Sequence, residues 1–413
     1  MRPVLFMVTV VIYFASSDTL GECRLTGPSK LLSHVKGHHP HIAADKARTE
    51  TYREAISKSK QRPNPRIEMG IKTATGDFGG EGSNIGAEFK HVVELGGKRE
   101  ARVKVSKKRL NEQKVRERKT KEHAVRSTVK IVNKLHQTNE LISRYTESIS
   151  SFTDVLKSLE KLPSKSPAER VEVSTLQVAI QNYEIKRERL KGQKESLLSR
   201  LQFFVADNCE VADEVYGHEA TLASISDLSF EKLEKGSDLT ISKREVVTQR
   251  ARLELERSQG WSNLEIGPAI DYTKTNAVGT EEEFKVGLAL EFSLPIFHTN
   301  DGGKSTAIKK LKEKKTLLKN KRKELQLELQ RRLKNYRHYK KRLGLLDSKK
   351  EVNKKHKEVE SLFSRGTIPT NLIIEVHRQL INWQKDKFHF HQLALSSLWR
   401  IYEMTGEISN AKY

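Results

Sequence analysis

The chain has 413 residues, of which 36% are hydrophobic, 7% aromatic and 31% charged. This lean hydrophobic content disfavours one large globular core and favours long helices with a narrow apolar seam and a wide solvated face. The formal net charge of +23, from 76 basic and 53 acidic residues, is typical of proteins that bind nucleic acid or an anionic surface, and that class stays open as an alternative.

Residues 1–17 have the pattern of a signal peptide. Met1 and Arg2 form a short charged start, and an uninterrupted apolar run follows from Val4 to Ala15 and ends in small residues. The run is too short for a membrane-spanning helix. The pattern therefore predicts export, which argues against a cytosolic nucleic-acid binder.

The N-terminal segment 18–28 contains Cys23, and the second cysteine of the chain is Cys209. Because an exported protein meets an oxidising environment, a disulfide between them is one prediction. The stretch from Leu20 to Cys23 also resembles a lipoprotein cleavage box, although Glu22 is unusual before the cysteine. A lipid on Cys23 is therefore a second alternative, and two free thiols are a third.

A first structural repeat is predicted at 29–206. Proline breaks helices, and residues 66–162 contain none. The charged tract in the later part of this stretch predicts one very long helix. A turn with Pro163 and Pro167 then reverses the chain. The predicted elements are a helix at 29–61, a β-hairpin at 65–95, a long helix at 97–161 and a return helix at 167–206.

After a connecting segment at 207–237, the same order of elements is predicted again at 238–405, before a C-terminal tail at 406–413. The second repeat lies about two hundred residues after the first, which indicates an internal duplication. Its predicted elements are a helix at 238–260, a hairpin at 263–294, a long helix at 303–363 and a return helix at 370–405.

The second long helix carries a diluted heptad seam, which is the pattern of coiled-coil packing. At 1.5 Å per residue it would be roughly 90 Å long, too long for a compact globular domain. The two seven-residue registers are Leu311, Leu318, Leu325, Tyr339 and Leu346, and Leu329, Tyr336 and Leu343.

Both hairpins alternate apolar residues with small or polar ones, which predicts strands that have one apolar face. The hairpins could lie on a soluble core, or they could face lipid in a membrane β-barrel. Four strands cannot close a barrel, so the second interpretation requires oligomerisation, and three chains would supply twelve strands. The predicted lipid-facing residues are Ile67, Met69, Ile71, Ile85, Phe89, Leu264, Ile266, Val286, Leu288, Leu290 and Phe292.

A glycine pair stands between each hairpin and the long helix that follows it. Gly96 and Gly97 end the first hairpin, and Gly302 and Gly303 stand at the equivalent place in the second repeat. Glycine adopts backbone conformations that other residues avoid. The two pairs are therefore predicted to be the joints at which strand becomes helix.

The order of elements, together with several phrases, resembles the TolC-like outer-membrane efflux proteins over residues 29–405. The phrase ELGGKREAR, which begins at Glu94, looks especially like the heavy-metal efflux branch, the CzcC and CusC type. The phrase that begins at Ser293, SLPIFHTNDGG, is similar to the equivalent place in the family's second repeat. FSRGTIPTNLIIEV, from Phe363, looks like the second periplasmic tip of the family.

This resemblance implies an α+β membrane protein that has a long α-helical coiled-coil barrel. Two β-hairpins per chain would contribute four strands to a trimeric, twelve-stranded β-barrel in the outer membrane, and the helices would extend into the periplasm. The homotrimer would dock on a periplasmic adaptor (membrane fusion) protein that joins it to an inner-membrane pump of the RND type.

The resemblance also places functional residues near the two helical tips. Phe363 and Glu375 would line the entrance constriction of the channel. The first tip departs from the family pattern because it has two prolines and no glycine. The predicted adaptor contacts are Pro163, Ser164, Pro167, Arg365, Gly366, Thr367 and Pro369.

The sequence carries no motif for catalysis, a cofactor or a zinc cluster, so an enzyme is not predicted. His38, His39 and His41 could bind metal or could form a helix-start loop. His389 and His391 are two apart on a predicted helix and so point to nearly opposite sides. No metal site is predicted from either group.

The predicted function is passive conduction of solutes, with metal ions suggested by the branch, as the exit duct of a tripartite efflux system. An exit duct for a type I protein secretion system is an alternative with the same fold. An exported basic coiled-coil protein that binds anionic polymers or envelope surfaces is the alternative from another class. Binding to nucleic acid is not predicted.

Overall fold

The computed structural model describes residues 23–75, 81–205, 209–225, 230–275, 281–346, 348–365, 367–408, 411 and 413, so the predicted signal peptide at 1–17 lies outside the described residues. Two short 3-10 helices, Asp213–Tyr216 and Phe230–Lys235, lie between the two halves of the chain. The α-helices are α1 (Pro28–His38), α2 (Pro40–Lys60), α3 (Lys98–Glu160), α4 (Pro167–Val205), α5 (Ser237–Ser258), α6 (Asp301–Gly344), α7 (Lys349–Ser364) and α8 (Thr370–Thr405). The strands are β1 (Cys23–Leu25), β2 (Arg66–Thr75), β3 (Glu81–Val93), β4 (Cys209–Val211), β5 (Leu264–Thr275) and β6 (Glu281–Phe292).

The helix predicted at 29–61 is wrong as a single helix, because α1 and α2 meet at His39. Pro40 has no amide hydrogen and disfavours helical conformation in the residue before it, so a new helix starts there. The His39 ring caps α2, since its Nδ1 accepts a hydrogen bond from the backbone nitrogen of His41 at 3.1 Å. Pro40 is visible in the sequence, and it determines where the helix is interrupted.

Helix α3 is continuous over 63 residues, a length of about 95 Å. It packs against α2 and α4 of the first half of the chain and against α5 and α8 of the second half. None of the helices in the described residues is long and apolar enough to span a membrane. Through these contacts, helix α3 joins the two halves of the chain.

The long helix predicted at 303–363 is wrong in one respect, because the structure divides it into α6 and α7. Ser348 and Glu351 form a capping box: the Glu351 backbone nitrogen donates to Ser348 Oγ at 3.2 Å, and the Ser348 nitrogen donates to Glu351 Oε2 at 3.0 Å. Such a pair satisfies the orphan donors of a helix start. The heptad seam is buried in α6 at Leu325, Leu329 and Tyr336.

The two cysteines form a disulfide, with their Cα atoms 4.4 Å apart. It lies within a small parallel sheet in which β1 pairs with β4, and Cys23 stands directly opposite Cys209 in the register. Of the three alternatives for these cysteines, the structure has the bonded pair. The bond ties the start of the described chain to the connecting segment beyond α4.

A buried network of charges joins α8 to α3, α5 and α6. The Arg400 guanidinium donates to both carboxylate oxygens of Glu328, at 2.9 and 3.0 Å, and to Glu403 at 2.7 Å, and it lies 3.2 Å from Asp238. Arg126 lies 3.2 Å from Glu403, whose side chain is almost completely buried. Because each charge has a partner of opposite sign, the network can remain ionised in the interior.

Candidate functional sites: the sheet and the helical tips

Four strands form one antiparallel sheet in the order β2-β3-β5-β6. The central pairing of β3 with β5 joins the two hairpins, for example where Ile85 stands opposite Tyr272. In the part of the chain that the structure describes, β2 and β6 are the edge strands of this sheet. Their outer edges carry backbone groups that have no partner strand among the described residues.

One face of this sheet is apolar and open to its surroundings. Met69 is 80% exposed, Val286 70% and Leu288 64%. The register aligns these residues across strands, since Ile67 pairs with Phe89 and Ile270 pairs with Val286. Among the predicted lipid-facing residues, Ile67, Met69, Ile71, Ile85, Phe89, Val286, Leu288, Leu290 and Phe292 are exposed, Leu264 and Ile266 are half-buried, and Ile270 and Phe284 extend the same face.

The opposite face of the sheet is polar. Its Lys90 ammonium group donates to carboxylates of Glu68 at 2.7 Å and Glu291 at 2.9 Å, and it lies 2.8 Å from Glu88. The Lys90 side chain is only 7% exposed, whereas its three partners are about half exposed. The sheet thus separates an apolar surface from a charged one, as period-two alternation requires.

The joint between β3 and α3 is built on glycine. Gly96 and Gly97 both have φ of +69°, a left-handed conformation that other residues adopt at a cost. A Cβ atom on Gly96 would also lie 2.5 Å from Cδ1 of Trp261, so the Trp261 side chain occupies that space. Glu94, just before the pair, accepts two hydrogen bonds from Arg102 at 2.6 and 3.1 Å.

The joint before α6 differs in position from the predicted glycine pair, although a Cβ atom on Gly303 would lie only 2.3 Å from Asn300 Oδ1. Helix α6 begins at Asp301, so Gly302 and Gly303 lie inside its first turn. The left-handed residue is Asn300, with φ of +58°, and its Nδ2 donates to the Glu256 backbone oxygen at 2.8 Å. Asparagine tolerates this conformation because its short polar side chain can bond locally.

Two aromatic side chains stand near these joints. Trp261 is 63% exposed and precedes β5, and Phe297 is fully exposed and follows β6. They lie at the end of the sheet from which the helices continue. Aromatic rings at the border of an apolar band are typical of membrane–water interfaces.

At the first tip, a capping box starts α4 after the exposed turn at Pro163 and Ser164. The Ser166 nitrogen donates to Glu169 Oε2 at 2.7 Å, and the Glu169 nitrogen donates to Ser166 Oγ at 3.3 Å. Pro167 occupies the first helical position, where its missing amide hydrogen costs nothing. The turn is therefore locally determined without a glycine.

At the second tip, the Thr367 nitrogen donates to the Leu362 oxygen at 3.2 Å, which closes the turn. Arg365, Thr367 and Pro369 are exposed, and the predicted Gly366 lies outside the described residues. Thr370 Oγ1 donates to Glu172 Oε2 of α4 at 3.2 Å. This contact places the two tips side by side at one end of the molecule.

The two predicted constriction residues lie in different surroundings. Phe363 packs beside a buried cluster that includes Phe152 and Ile373, and it lines a cavity of about 1270 Å³ between the tips. Glu375 lies on α8 and accepts two hydrogen bonds from Arg378, at 2.6 and 2.7 Å. The Arg378 guanidinium holds the pKa of the Glu375 carboxyl below its usual value.

Among the described residues, no cluster of potential metal ligands includes His38, His39, His41, His389 or His391. His39 and His41 form the start of α2, as described above. His391 is buried and its Nε2 donates to the Ala220 oxygen at 2.9 Å, whereas His389 is exposed. A different group, which the sequence analysis did not single out, lies at the second tip, where His356, Glu360 and His377 come together.

Several solved structures of outer membrane channels resemble this chain. The crystal structure of CusC, which addresses its folding and transmembrane channel formation, superposes with a TM-score of 0.70 at 9% identity, over 91% of each chain. The open state of the Neisseria gonorrhoeae MtrE outer membrane channel gives 0.73 at 10% identity, over 92% of this chain and 89% of that chain. The Campylobacter jejuni CmeC outer membrane channel gives 0.68 at 12% identity, over 92% and 85%.

No family profile and no curated protein sequence matches the chain. At identities of 9–12%, the structural likeness establishes the fold alone. That fold is the one of the TolC-like channels, so the resemblance that the sequence predicted is confirmed at the level of the fold.

Proposed function

We propose that three copies of this chain form an outer-membrane channel that extends into the periplasm and conducts solutes outward without catalysing a reaction. The exposed apolar face of the sheet, bounded by the open edges of β2 and β6, carries this proposal. Open edges do not persist in hydrocarbon, because every backbone polar group there needs a partner. Pairing β6 of one copy with β2 of the next would give a closed barrel of twelve strands.

The helices would form the duct below this barrel. Helix α3 is about 95 Å long, which is enough to cross much of the periplasm. In this arrangement the chain needs no energy source of its own, and selectivity depends on the width and charge of the pore. The shared fold with solved outer membrane channels supports this arrangement.

In such an assembly the exposed tips would contact a periplasmic adaptor, which an inner-membrane RND-type pump would feed. The two tips lie side by side through Thr370 and Glu172, so one adaptor surface could contact both. The proposed adaptor contacts are Pro163, Ser164, Pro167, Arg365, Gly366, Thr367 and Pro369, and the proposed constriction residues are Phe363 and Glu375.

Metal ions are the proposed solutes, since the ELGGKREAR phrase resembles the heavy-metal branch. A duct for a secreted protein would share the fold and remains the alternative within this class. Efflux assays with added copper, zinc and cobalt in a host that lacks its own exit duct would separate the two. Restored metal resistance supports metal efflux, and restored secretion of a reporter protein supports the alternative.

The channel itself is tested by fractionation and conductance. The full chain should appear in outer membranes, cross-link as a trimer and produce discrete conductance steps in planar lipid bilayers. The variant Leu288→Arg, which places a charge on the apolar face of the sheet, should produce no conductance steps. A monomeric protein that remains in the periplasmic fraction would overturn the channel and favour the exported coiled-coil protein that binds anionic surfaces.

A further inference from the structure

Three side chains that favour metal binding converge beside the second tip. His356 and Glu360 are four residues apart on α7 and therefore share one face of the helix. His377 reaches them from α8. The Nε2 atoms of His356 and His377 lie 3.8 and 3.6 Å from Glu360 Oε1, and the three potential ligand atoms are all within 4.8 Å of one another.

Both Nε2 atoms are buried and have no hydrogen-bond partner in the structure. His377 is 0% exposed and His356 is 4% exposed. A buried polar atom without a partner costs about 1–3 kcal/mol, and native proteins rarely keep one without a reason. Two such atoms aimed at the same carboxylate point to a missing ligand.

The second nitrogen of His377 shows which ring atom is free. The single hydroxyl hydrogen of Ser148 is donated to the Arg144 backbone oxygen at 2.9 Å. Ser148 Oγ must then accept from His377 Nδ1, which lies 2.8 Å away. Nδ1 therefore carries the ring hydrogen, and the Nε2 lone pair faces Glu360.

This arrangement is the one that ligand histidines normally have, because a hydrogen bond at the second nitrogen fixes the tautomer and the ring orientation. His377 Nε2 and the Glu360 carboxylate, 3.6 Å apart, can therefore bind the same cation.

We propose that His356 Nε2, His377 Nε2 and Glu360 Oε1 bind a divalent transition-metal ion of the zinc class, Zn²⁺ or Co²⁺, between α7 and α8. Ligands of a tetrahedral zinc ion are about 2.0–2.1 Å from the metal and hence about 3.3 Å from one another. The two histidine–glutamate separations of 3.6 and 3.8 Å need to shorten by a few tenths of an ångström, and the two histidine nitrogens lie within 4.8 Å of each other. Two imidazoles favour these ions over Ca²⁺ and Mg²⁺, which prefer oxygen ligands.

The site is open to solvent on the side of Glu360, whose side chain is 31% exposed. Glu360 lines the cavity of about 1270 Å³ between the tips, together with Glu147, Asp154 and Glu172. These acidic side chains provide a path along which a cation is attracted. Water from the cavity would occupy the fourth position of the ion.

The ion would connect a helix that is otherwise weakly anchored. Among the α7 side chains that the structure describes, His356 is the only buried one. Metal bound by His356, Glu360 and His377 would therefore fix α7 against α8 at the second tip. This site goes beyond the proposed conduction of solutes and does not depend on it.

The test uses the untagged full chain, purified in detergent and stripped with a chelator. Calorimetric titration with Zn²⁺ should give one ion per chain, and Co²⁺ should give the visible absorption bands of tetrahedral coordination. His377→Gln and Glu360→Gln should each weaken binding at least 100-fold, and Ser148→Ala should weaken it roughly 10-fold through the lost support of His377. The control His389→Gln removes an exposed histidine from the same helix and should leave binding unchanged.

The proposal is overturned if the stripped wild-type chain binds no Zn²⁺, or if Glu360→Gln binds it as tightly as the wild type. Glu360 is partly exposed, so its amide variant is expected to fold even if a variant of buried His377 does not. The Co²⁺ spectrum needs no variant, and octahedral coordination would also contradict the site. Each result is independent of whether the protein conducts solutes, because binding is measured in detergent.

Discussion

The indole ring of Trp261, which precedes the second hairpin, lies directly over Gly96, which follows the first. A Cβ atom at Gly96 would be 2.5 Å from Trp261 Cδ1 and 2.7 Å from Trp261 Cβ. The two halves of the chain therefore contact each other where strands give way to helices. Position 96 requires glycine for two reasons: its φ is positive, and the Trp261 ring leaves no room for a side chain.

Gly96→Ala should reduce the stability of the folded chain by about 1–3 kcal/mol, since alanine pays a backbone cost and meets the Trp261 ring. Gly302→Ala is the matched control, because Gly302 lies in α6 with open space around it. Alanine favours helix over glycine, so this control should be neutral or slightly stabilising. Chemical denaturation followed by circular dichroism measures both, and equal effects of the two variants would contradict the assignment of the joint.

Leu288→Arg should prevent insertion and trimer formation, because a charged side chain on the lipid face costs about 2–4 kcal/mol near the middle of the membrane. Ala289→Arg places the same charge on the next residue, which faces the polar side of the sheet. That control should still form trimers. Size-exclusion chromatography of outer-membrane extracts gives the readout, and assembly of the Leu288 variant would show that this face does not contact lipid.

Removing the disulfide with Cys23→Ser and Cys209→Ser should lower stability by about 2–5 kcal/mol, because the bond closes a loop across a sequence separation of 186 residues. A reductant should lower the stability of the wild type by a similar amount and leave the double variant unchanged. The intact mass of the purified chain should increase on reduction. An acyl chain on Cys23 would instead support the lipid-anchored alternative.

Arg400→Ala should destabilise the chain by about 3–5 kcal/mol, because it leaves Glu403 and Glu328 in the interior without their main partner. Arg378→Ala is the control, since Arg378 also binds a glutamate three residues away, Glu375, but at the surface. Exposed pairs contribute about 0–1 kcal/mol. Denaturation midpoints of the two variants at pH 7 provide the comparison, and similar values would show that the buried network is not stabilising.

The stabilisation by Arg400 should depend on pH. The hydrogen bond from Arg400 holds the pKa of the Glu328 carboxyl below its usual value. A depressed pKa contributes stability above the unfolded pKa of about 4.3, and this contribution is lost as pH falls through the folded pKa. The stability difference between wild type and Arg400→Ala should therefore shrink between pH 5 and pH 3, and a constant difference would contradict the ionised pair.

Local signals in the sequence were enough to predict most of the fold. Helix α3 follows from a charged tract without proline, and the sheet follows from strict alternation. The break after α6 was missed because the heptad seam continues through Leu343 and Leu346, although Ser348 and Glu351 already had capping-box spacing. At Asn300, a short polar residue took the role that glycine was expected to have.

The metal-like cluster could be predicted only in part. The spacing of His356 and Glu360 on one helix is visible in the sequence, but His377 stands 21 positions after His356, beyond a turn. No helical period relates residues across a turn, so only the packing of α7 on α8 could bring His377 to the other two. The same applies to Trp261 and Gly96, whose contact depends on how the two hairpins pair.

The three carboxylates around Lys90 give the polar face of the sheet a local charge that differs from the net charge of the chain. Three glutamates surround one lysine on the polar face of the sheet, so this spot is anionic in a chain of net charge +23. An ion in salt solution senses charges only within a screening length of about 8–10 Å. In the proposed channel, the local potential at that face would therefore be negative even though the net charge of the chain is positive.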